Sequence, residues 1–486
     1  MDNNKNDKNS LLRKFCLESS ILGLKYFYIY PDTISRCFWA VALVLVLFSA
    51  CLLTWMLHNR FVEMPTRITI ENQYELITNL SFPAVTICSP NQVTISAVTH
   101  FNRTLVDGNR TLNLESILPQ LLGFYEIIGD ISKENLEYFQ NLITLNRYNS
   151  LEVIGMVPQS CESFLKLCYF QRKEYPCAEL FNPILTKHGM CCIFNSIYHY
   201  KNNKRNEKNY NFKPFKIYNT GIRASLTVVA DYNPDDALHG TLLTAGAIRA
   251  MLTDWTEFPA DDQTSLVQPY TESFHIIHPT YTYCSEEVTT MPSWSRKCYF
   301  EDEYSQPHFG HYHNSDCNLL CEVHELERLC DCTMVYIPYV RMSHACNVSS
   351  INCVVDAKMQ MNKWYRTEQC DCPRDCVSFQ YQVEMSVGNL DALPYMIHNP
   401  YKNIEFNKTT SIMHFFIPSS VYTKRKQETI MSLISLSSNL GGVFGLCLGC
   451  SVISVVEIFF FLYLAIKYKI RENFNKIWNN RVNYMR

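Results

Sequence analysis

Twenty consecutive residues, Phe38–Leu57 (FWAVALVLVLFSACLLTWML), carry no charge. As a helix rising about 1.5 Å per residue the run is roughly 30 Å long, the thickness of a bilayer's hydrocarbon core. A second apolar run, Ile430–Ile466, has 37 residues and a single charge, Glu457. Straight, it would reach roughly 55 Å, nearly twice what a bilayer needs. It therefore projects beyond the membrane, tilts steeply, or is broken. Gly449, Cys450 and Ser451 interrupt it with three small residues. A carboxylate at membrane depth faces a bundle interior or water, so Glu457 marks a side that lipid does not cover.

Basic flanks give the orientation. Residues 1–37 hold six Lys/Arg, and residues 467–486 hold six Lys/Arg against one acid. Positive ends belong in the cytoplasm. Residues 1–36 are polar and mixed in charge, which predicts no cleavable leader. The middle, 58–429, is then extracellular, and two patterns agree. Seventeen of the 22 cysteines lie between Cys88 and Cys376, the density of a disulfide framework in an oxidising compartment. All five N-x-S/T sequons, Asn79, Asn102, Asn109, Asn347 and Asn407, also fall there. The expected protein sits in the plasma membrane with both termini cytoplasmic, and membrane lipid is its first partner. A net charge of −3 argues against nucleic acid.

The large middle segment reads as mixed α+β. Phe82–Cys88 (FPAVTIC), Gly221–Tyr232 and Ala245–Trp255 are strand-like. Residues 114–147 have apolar residues at helical spacing. Lys201–Asn211 (KNNKRNEKNYN) reads as an exposed loop, and Asp231–Asp236 (DYNPDD) as a solvated turn. The densest cysteine block runs from Cys298 to Cys376 and also carries His308, His311 and His313. Zinc is disfavoured for this segment, its histidines included, because the exterior oxidises thiols and the spacings form no paired C-x2-C knuckles. C-x3-C at Cys317–Cys321 and C-x-C-x3-C at Cys370–Cys376 could instead zip two antiparallel helices along one face, since i and i+4 share a face. The expectation is no metal and no cofactor.

In order along the chain, "FCLESSILGLKYF" (Phe15–Phe27), "FPAVTIC", "CDCTMVYIPY", "CDCPRDC" and "SNLGGVFGLCLGCSVISVVE" (Ser438–Glu457) resemble the segments that define the degenerin/epithelial sodium channel family, most closely its arthropod pickpocket branch. The resemblance implies a trimeric, sodium-preferring, amiloride-blocked cation channel. Its chain would run as inner segment 1–37, first span 38–57, clenched-hand ectodomain 58–429 with a thumb at about 298–376, second span 430–466 and inner tail 467–486. It implies the disulfides Cys88–Cys191, Cys168–Cys177, Cys298–Cys376, Cys317–Cys372, Cys321–Cys370, Cys330–Cys353 and Cys332–Cys346. Cys161 and Cys192 are left to pair with each other, and Cys284 is the odd one.

The same resemblance places the selectivity filter at Gly449-Cys450-Ser451. Physics agrees: backbone carbonyls replace an ion's hydration oxygens only where a helix unwinds, and glycine makes the break cheap. The competing reading is close helix packing, since Gly441, Gly445 and Gly449 also form overlapping GxxxG. Gly442 and Gly445 belong to the gating stretch, and Ser438, 11 residues before Gly449, stands at the degenerin position where small side chains permit closure. Glu457 would attract sodium at the inner vestibule; otherwise it reaches toward Lys467 or Lys469, or pairs with a neighbouring subunit. Gly23 would supply a re-entrant turn, but Leu22 stands where the family has histidine, which points to a subunit that conducts only in heteromers. Trp294, with Phe61 as partner, would couple thumb to first span. The stimulus is an extracellular ligand or mechanical force. A two-span scavenger-type receptor shares the topology but needs no broken second span. An ectoenzyme would need a nucleophile motif or a metal-spaced His/Glu set that the sequence lacks.

Overall fold

A computed structural model describes residues 13–21, 23–30, 32–105, 114–129, 131–198, 212–260, 264–341, 343–363, 370–397 and 399–484. Leu22, Asn109 and the 201–211 loop lie outside them. The chain divides into two compact units: residues 1–67, 286–296 and 428–486 make one, and residues 68–285 and 297–427 make the other.

The first unit is helical. Its helix Thr33–Glu63 contains the apolar run 38–57 and is long and apolar enough to cross a membrane. The second apolar run forms two helices, Leu433–Leu448 and Val452–Tyr484, bent by 73° at the interruption. Leu433–Leu448 packs on Thr33–Glu63, where Ser49 Oγ lies 3.8 Å from Cys447 Sγ.

The second unit is disulfide-rich and mostly β. A five-stranded antiparallel sheet runs in the order Phe181–Thr186, Gly189–Phe194, Ala84–Cys88, Ile248–Thr253, Thr264–Val267. An eight-stranded sheet is centred on Thr271–Cys284, which pairs antiparallel with Ser378–Asn389 and parallel with Thr410–Phe416 and Val421–Thr429. Leu226–Asp231 and Leu165–Phe170 extend it. Buried Phe82, Phe170, Phe194, Val228, Ile277 and Phe415 form the core of this β region. The three strands expected from sequence are therefore present, as Ala84–Cys88, Leu226–Asp231 and Ile248–Thr253.

Helices share a second core that includes Phe101, Leu118, Phe139, Val323, Ile351 and Val354. The apolar spacing of 114–147 does not make one helix. Pro119 cannot continue a helical hydrogen-bond ladder, and the stretch resolves into Leu114–Ile117, a 3-10 segment Leu118–Phe124 and helix Lys133–Leu145. Gly123 is required there: a Cβ would sit 2.5 Å from Ile351 Cγ2. Beside it Lys358 Nζ donates to Phe124 O at 2.7 Å, and burial pushes the ammonium pKa down to about 8.

Eight disulfides pin this unit: Cys88–Cys191, Cys161–Cys192, Cys168–Cys177, Cys298–Cys376, Cys317–Cys372, Cys321–Cys370, Cys330–Cys353 and Cys332–Cys346. The expected zip of two helices is corrected in one respect. Cys317 and Cys321 are on helix Asn314–Cys330, but Cys370 and Cys372 are on non-helical chain. The geometry explains why this works. Four residues of helix rise about 6 Å, and two residues of extended chain advance about 6.6 Å, so C-x3-C on a helix matches C-x-C on an extended segment. The helix Ile351–Lys363 joins through Cys330–Cys353 alone. Cys284, buried, stands outside the eight, its thiol 3.3 Å from Cys376 O.

Asp231–Asp236 forms the expected turn, with Asn233 and Asp235 exposed and no residue of Pro234–Asp236 buried, and it departs from a solvated stretch only at its start. Asp231 is buried and accepts Thr409 Oγ1–H at 2.6 Å, while Asp236 accepts Ser96 N–H at 2.8 Å and Ser96 Oγ–H at 2.6 Å. Asp231 ties its strand to Thr409 in the interior, whereas Asp236 holds Ser96 at a solvent-exposed position. Asn79, Asn102, Asn347 and Asn407 are all exposed.

Candidate functional site

The helix Leu433–Leu448 starts conventionally, with the Ser432 hydroxyl accepting Ser435 N–H at 3.2 Å. It stops at Gly449, whose φ of 64° is left-handed, a conformation that a Cβ would strain. Gly449 N–H donates to Gly445 O at 3.0 Å. The next two N–H groups then leave the helical pattern. In a continuous helix Cys450 and Ser451 would donate to the carbonyls of Leu446 and Cys447. Instead Cys450 N–H turns back to Phe444 O at 3.3 Å, and Ser451 N–H goes to Ser454 Oγ at 3.0 Å. The carbonyls of Leu446 and Cys447 are released from the ladder. Ser454 performs half of a capping box for the helix that starts at Val452. A backbone so arranged has oxygen atoms to offer a cation.

The glycines before the break are uncovered within one chain. Nothing lies within 4 Å of a Cβ built on Gly441 or Gly442, and at Gly445 the nearest atom is Cys450 O at 3.8 Å. Among the described residues, no neighbouring element packs against these three glycines. Ser438 is exposed, Cys450 half-buried and Ser451 exposed.

Glu457 is held by residues that the sequence reading passed over. Ser20 donates twice to its Oε2, from N–H and from Oγ, each at 3.0 Å. Ser20 Oγ also lies 2.6 Å from Ser454 Oγ. The N-terminal segment is therefore docked on the helix after the break, and Phe15 adds an edge-to-face contact with Phe461 at 5.1 Å. Gly23, buried with φ of 100°, turns this segment against the first long helix, where a Cβ would sit 2.8 Å from Leu43 Cδ2. Tyr26 stacks on Trp39 at 4.4 Å. The signal for Ser20 was the Ser19-Ser20 pair, two hydroxyl residues three and four positions before Gly23.

Trp294 lies in the helical turn Ser293–Arg296 and is 80% exposed; Phe61 is half-buried near the end of helix Thr33–Glu63. Among the described residues no ring contact joins them. In the disulfide-rich unit, burial lowers the pKa of His313 to about 4, as it does for His275, with neighbouring His311 and His414 respectively adding to the effect.

The amiloride-sensitive sodium channel family matches residues 15–461, from the docked N-terminal segment through the broken helix. The chain belongs to this family. It is 27% identical over 473 residues to the sodium channel protein Nach of Drosophila melanogaster, covering 93% of this chain and 87% of that one. It is 24% identical over 510 residues to pickpocket protein 28 of the same fly, covering 94% and 80%. It is 25% identical over 444 residues to acid-sensing ion channel 4-B of Danio rerio, covering 89% and 71%. These relatives are ion channels and not enzymes, and family membership makes the chain a membrane protein of cation-channel type.

Proposed function

We propose that this chain is a pore-forming subunit of a trimeric, sodium-preferring and amiloride-sensitive cation channel. The observation that carries the reading is the break at Gly449-Cys450-Ser451, where two N–H groups abandon the carbonyls of Leu446 and Cys447. Non-helical backbone at membrane depth is tolerated where it lines a cavity or is buried in protein. Three copies around an axis would present a ring of carbonyl oxygens, and the uncovered Gly441, Gly442 and Gly445 leave room for a neighbouring subunit. Thr33–Glu63 is the first span and the bent pair is the second, with both termini cytoplasmic and the disulfide-rich unit outside. Glu457 then stands on the inner side, tied to Ser20. An extracellular ligand or mechanical force opens the pore.

A second reading has one observation in its favour. In sequence, Leu22 stands where the family has histidine, two residues after Ser20 and one before Gly23. In that reading the chain conducts only alongside related subunits.

Oocyte recording of the chain, alone and with sibling subunits, tests both. A charged, membrane-impermeant thiol reagent is expected to block by modifying Cys450, and Cys450→Ser is expected to abolish the block. Current that flows unchanged while Cys450 is demonstrably modified removes Gly449–Ser451 from the pore. Large homomeric currents, matching those of Leu22→His, remove the heteromer reading.

A further inference from the structure

Among the described residues, Glu257, His313 and Asp375 bring one nitrogen and two carboxylate oxygens within 4.8 Å of one another. They come from three separate pieces of chain. Glu257 follows the strand Ile248–Thr253, His313 caps helix Asn314–Cys330, and Asp375 belongs to the short strand Arg374–Asp375. His313 Nδ1 is 3.9 Å from Glu257 Oε1, and both side chains are mostly buried, at 13% and 16% exposed. His313 Nε2 is fully buried and makes no hydrogen bond. The ring nitrogen that faces Glu257 is Nδ1, and it is the one a bound ion would engage.

The frame around the three is fixed. Asn314 N–H donates to both Asp375 oxygens, at 3.0 and 3.3 Å, and orients that carboxylate. Asn314 Nδ2 donates to Cys372 O at 2.8 Å and Pro373 O at 3.1 Å, and Gln306 Nε2 donates to His313 O at 3.0 Å. Cys317–Cys372 and Cys298–Cys376 lock the same backbone covalently.

We propose that Glu257, His313 and Asp375 form a Zn2+ site that ties the start of the laced helix to the strand and loop beside it. One imidazole nitrogen and two carboxylates suit zinc, with water in the remaining position. Ca2+ and Mg2+ prefer oxygen alone, so the imidazole selects against them. Ligands about 2.0–2.2 Å from zinc stand about 3.3 Å apart in a tetrahedron, so the His313–Glu257 separation closes by roughly half an ångström on binding. The ladder cysteines do not compete, because disulfide sulfur is not a thiolate ligand. The site is independent of the pore reading, being built wholly within the disulfide-rich unit.

The test uses the full-length chain purified in detergent, stripped with EDTA and titrated with ZnCl2. The wild type is expected to bind one more Zn2+ per chain than Glu257→Gln or Asp375→Asn, whose residual affinity falls about 10-fold or more. Asp375→Asn keeps a side-chain oxygen to accept Asn314 N–H, and a non-reducing peptide map confirms its disulfides; Glu257→Gln stands as the second variant. His311→Gln, whose exposed side chain faces Glu301 and Asp302, is expected to bind as the wild type does. Millimolar Ca2+ is expected not to displace the ion. Equal zinc content and affinity in wild type, Glu257→Gln and Asp375→Asn would overturn the site. So would loss of the ion in His311→Gln alone, or its displacement by Ca2+.

Discussion

Two helices of this protein are stopped and tied in opposite ways. Asn314–Cys330 is laced to its neighbours by Cys317–Cys372, Cys321–Cys370 and Cys330–Cys353, and ends at Asp331 with φ of 54°. Leu433–Leu448 ends at Gly449 with φ of 64° and is continued across the break only by hydrogen bonds from Cys450 and Ser451. Both terminate in the left-handed region, yet one is anchored by covalent bonds and the other by bonds worth about 1 kcal/mol each. The first helix is thus fixed by bonds that do not open, and the second stops at a point held by bonds that can rearrange.

The largest effect is expected where the second helix stops. Gly449→Val places a β-branched residue in a left-handed backbone, at about 1–2 kcal/mol per copy and about 3–6 kcal/mol over three copies of the proposed trimer. Current is expected to fall at least about 100-fold while surface labelling stays within twofold of wild type. Wild-type currents from Gly449→Val would mean that this backbone is not required for conduction. Asp331→Gly offers the contrast, since it relieves the same conformation in the laced helix and is expected to leave current unchanged.

The laced helix is expected to respond in stability and not in permeation. Opening Cys317–Cys372, a 55-residue separation, would by itself cost about 4 kcal/mol in the chain-entropy picture. The bridge is nested, however. With Cys321–Cys370 intact, the ring that it closes contains only residues 317–321 and 370–372, and the cost falls to about 2.5 kcal/mol. Cys317→Ser with Cys372→Ser is therefore expected to lower surface expression several-fold, with unchanged ion selectivity in the channels that arrive. A change of selectivity at normal expression would abolish the division of labour between the two helices.

How much of this was legible follows the range of the interactions. The apolar runs, Gly449 and the strand at Ala84–Cys88 announce themselves within a few residues, because hydropathy and glycine act locally. Disulfide pairing does not. The spacing C-x3-C against C-x-C-x3-C suggested two helices, and only the fold reveals that Cys370 and Cys372 lie on non-helical chain. The Asp231–Asp236 turn was legible as a turn, but the partners of its two end carboxylates, Thr409, Asn407 and Ser96, are all 140 or more residues away and could not be read from its composition. His313, Glu257 and Asp375 were invisible as a group because three separate segments bring them together. Ser20 and Glu457 are 437 residues apart, and no periodicity connects them.

That last pair gives the smallest and sharpest expected effect. Ser20 donates two hydrogen bonds to Glu457 and shares a third contact with Ser454, yet the carboxylate is partly exposed, so water competes and the net worth is about 1 kcal/mol. Ser20→Ala keeps the backbone donor and loses the hydroxyl; Glu457→Ala loses the acceptor for both. If the tether holds the inner segment in place, each variant is expected to reduce open probability about fivefold, and the double variant no further, giving a coupling of about 1 kcal/mol. Multiplying effects would show that the two residues act independently. In that case the N-terminal segment would rest on the helix after the break through the Ser20–Ser454 and Phe15–Phe461 contacts, without the carboxylate.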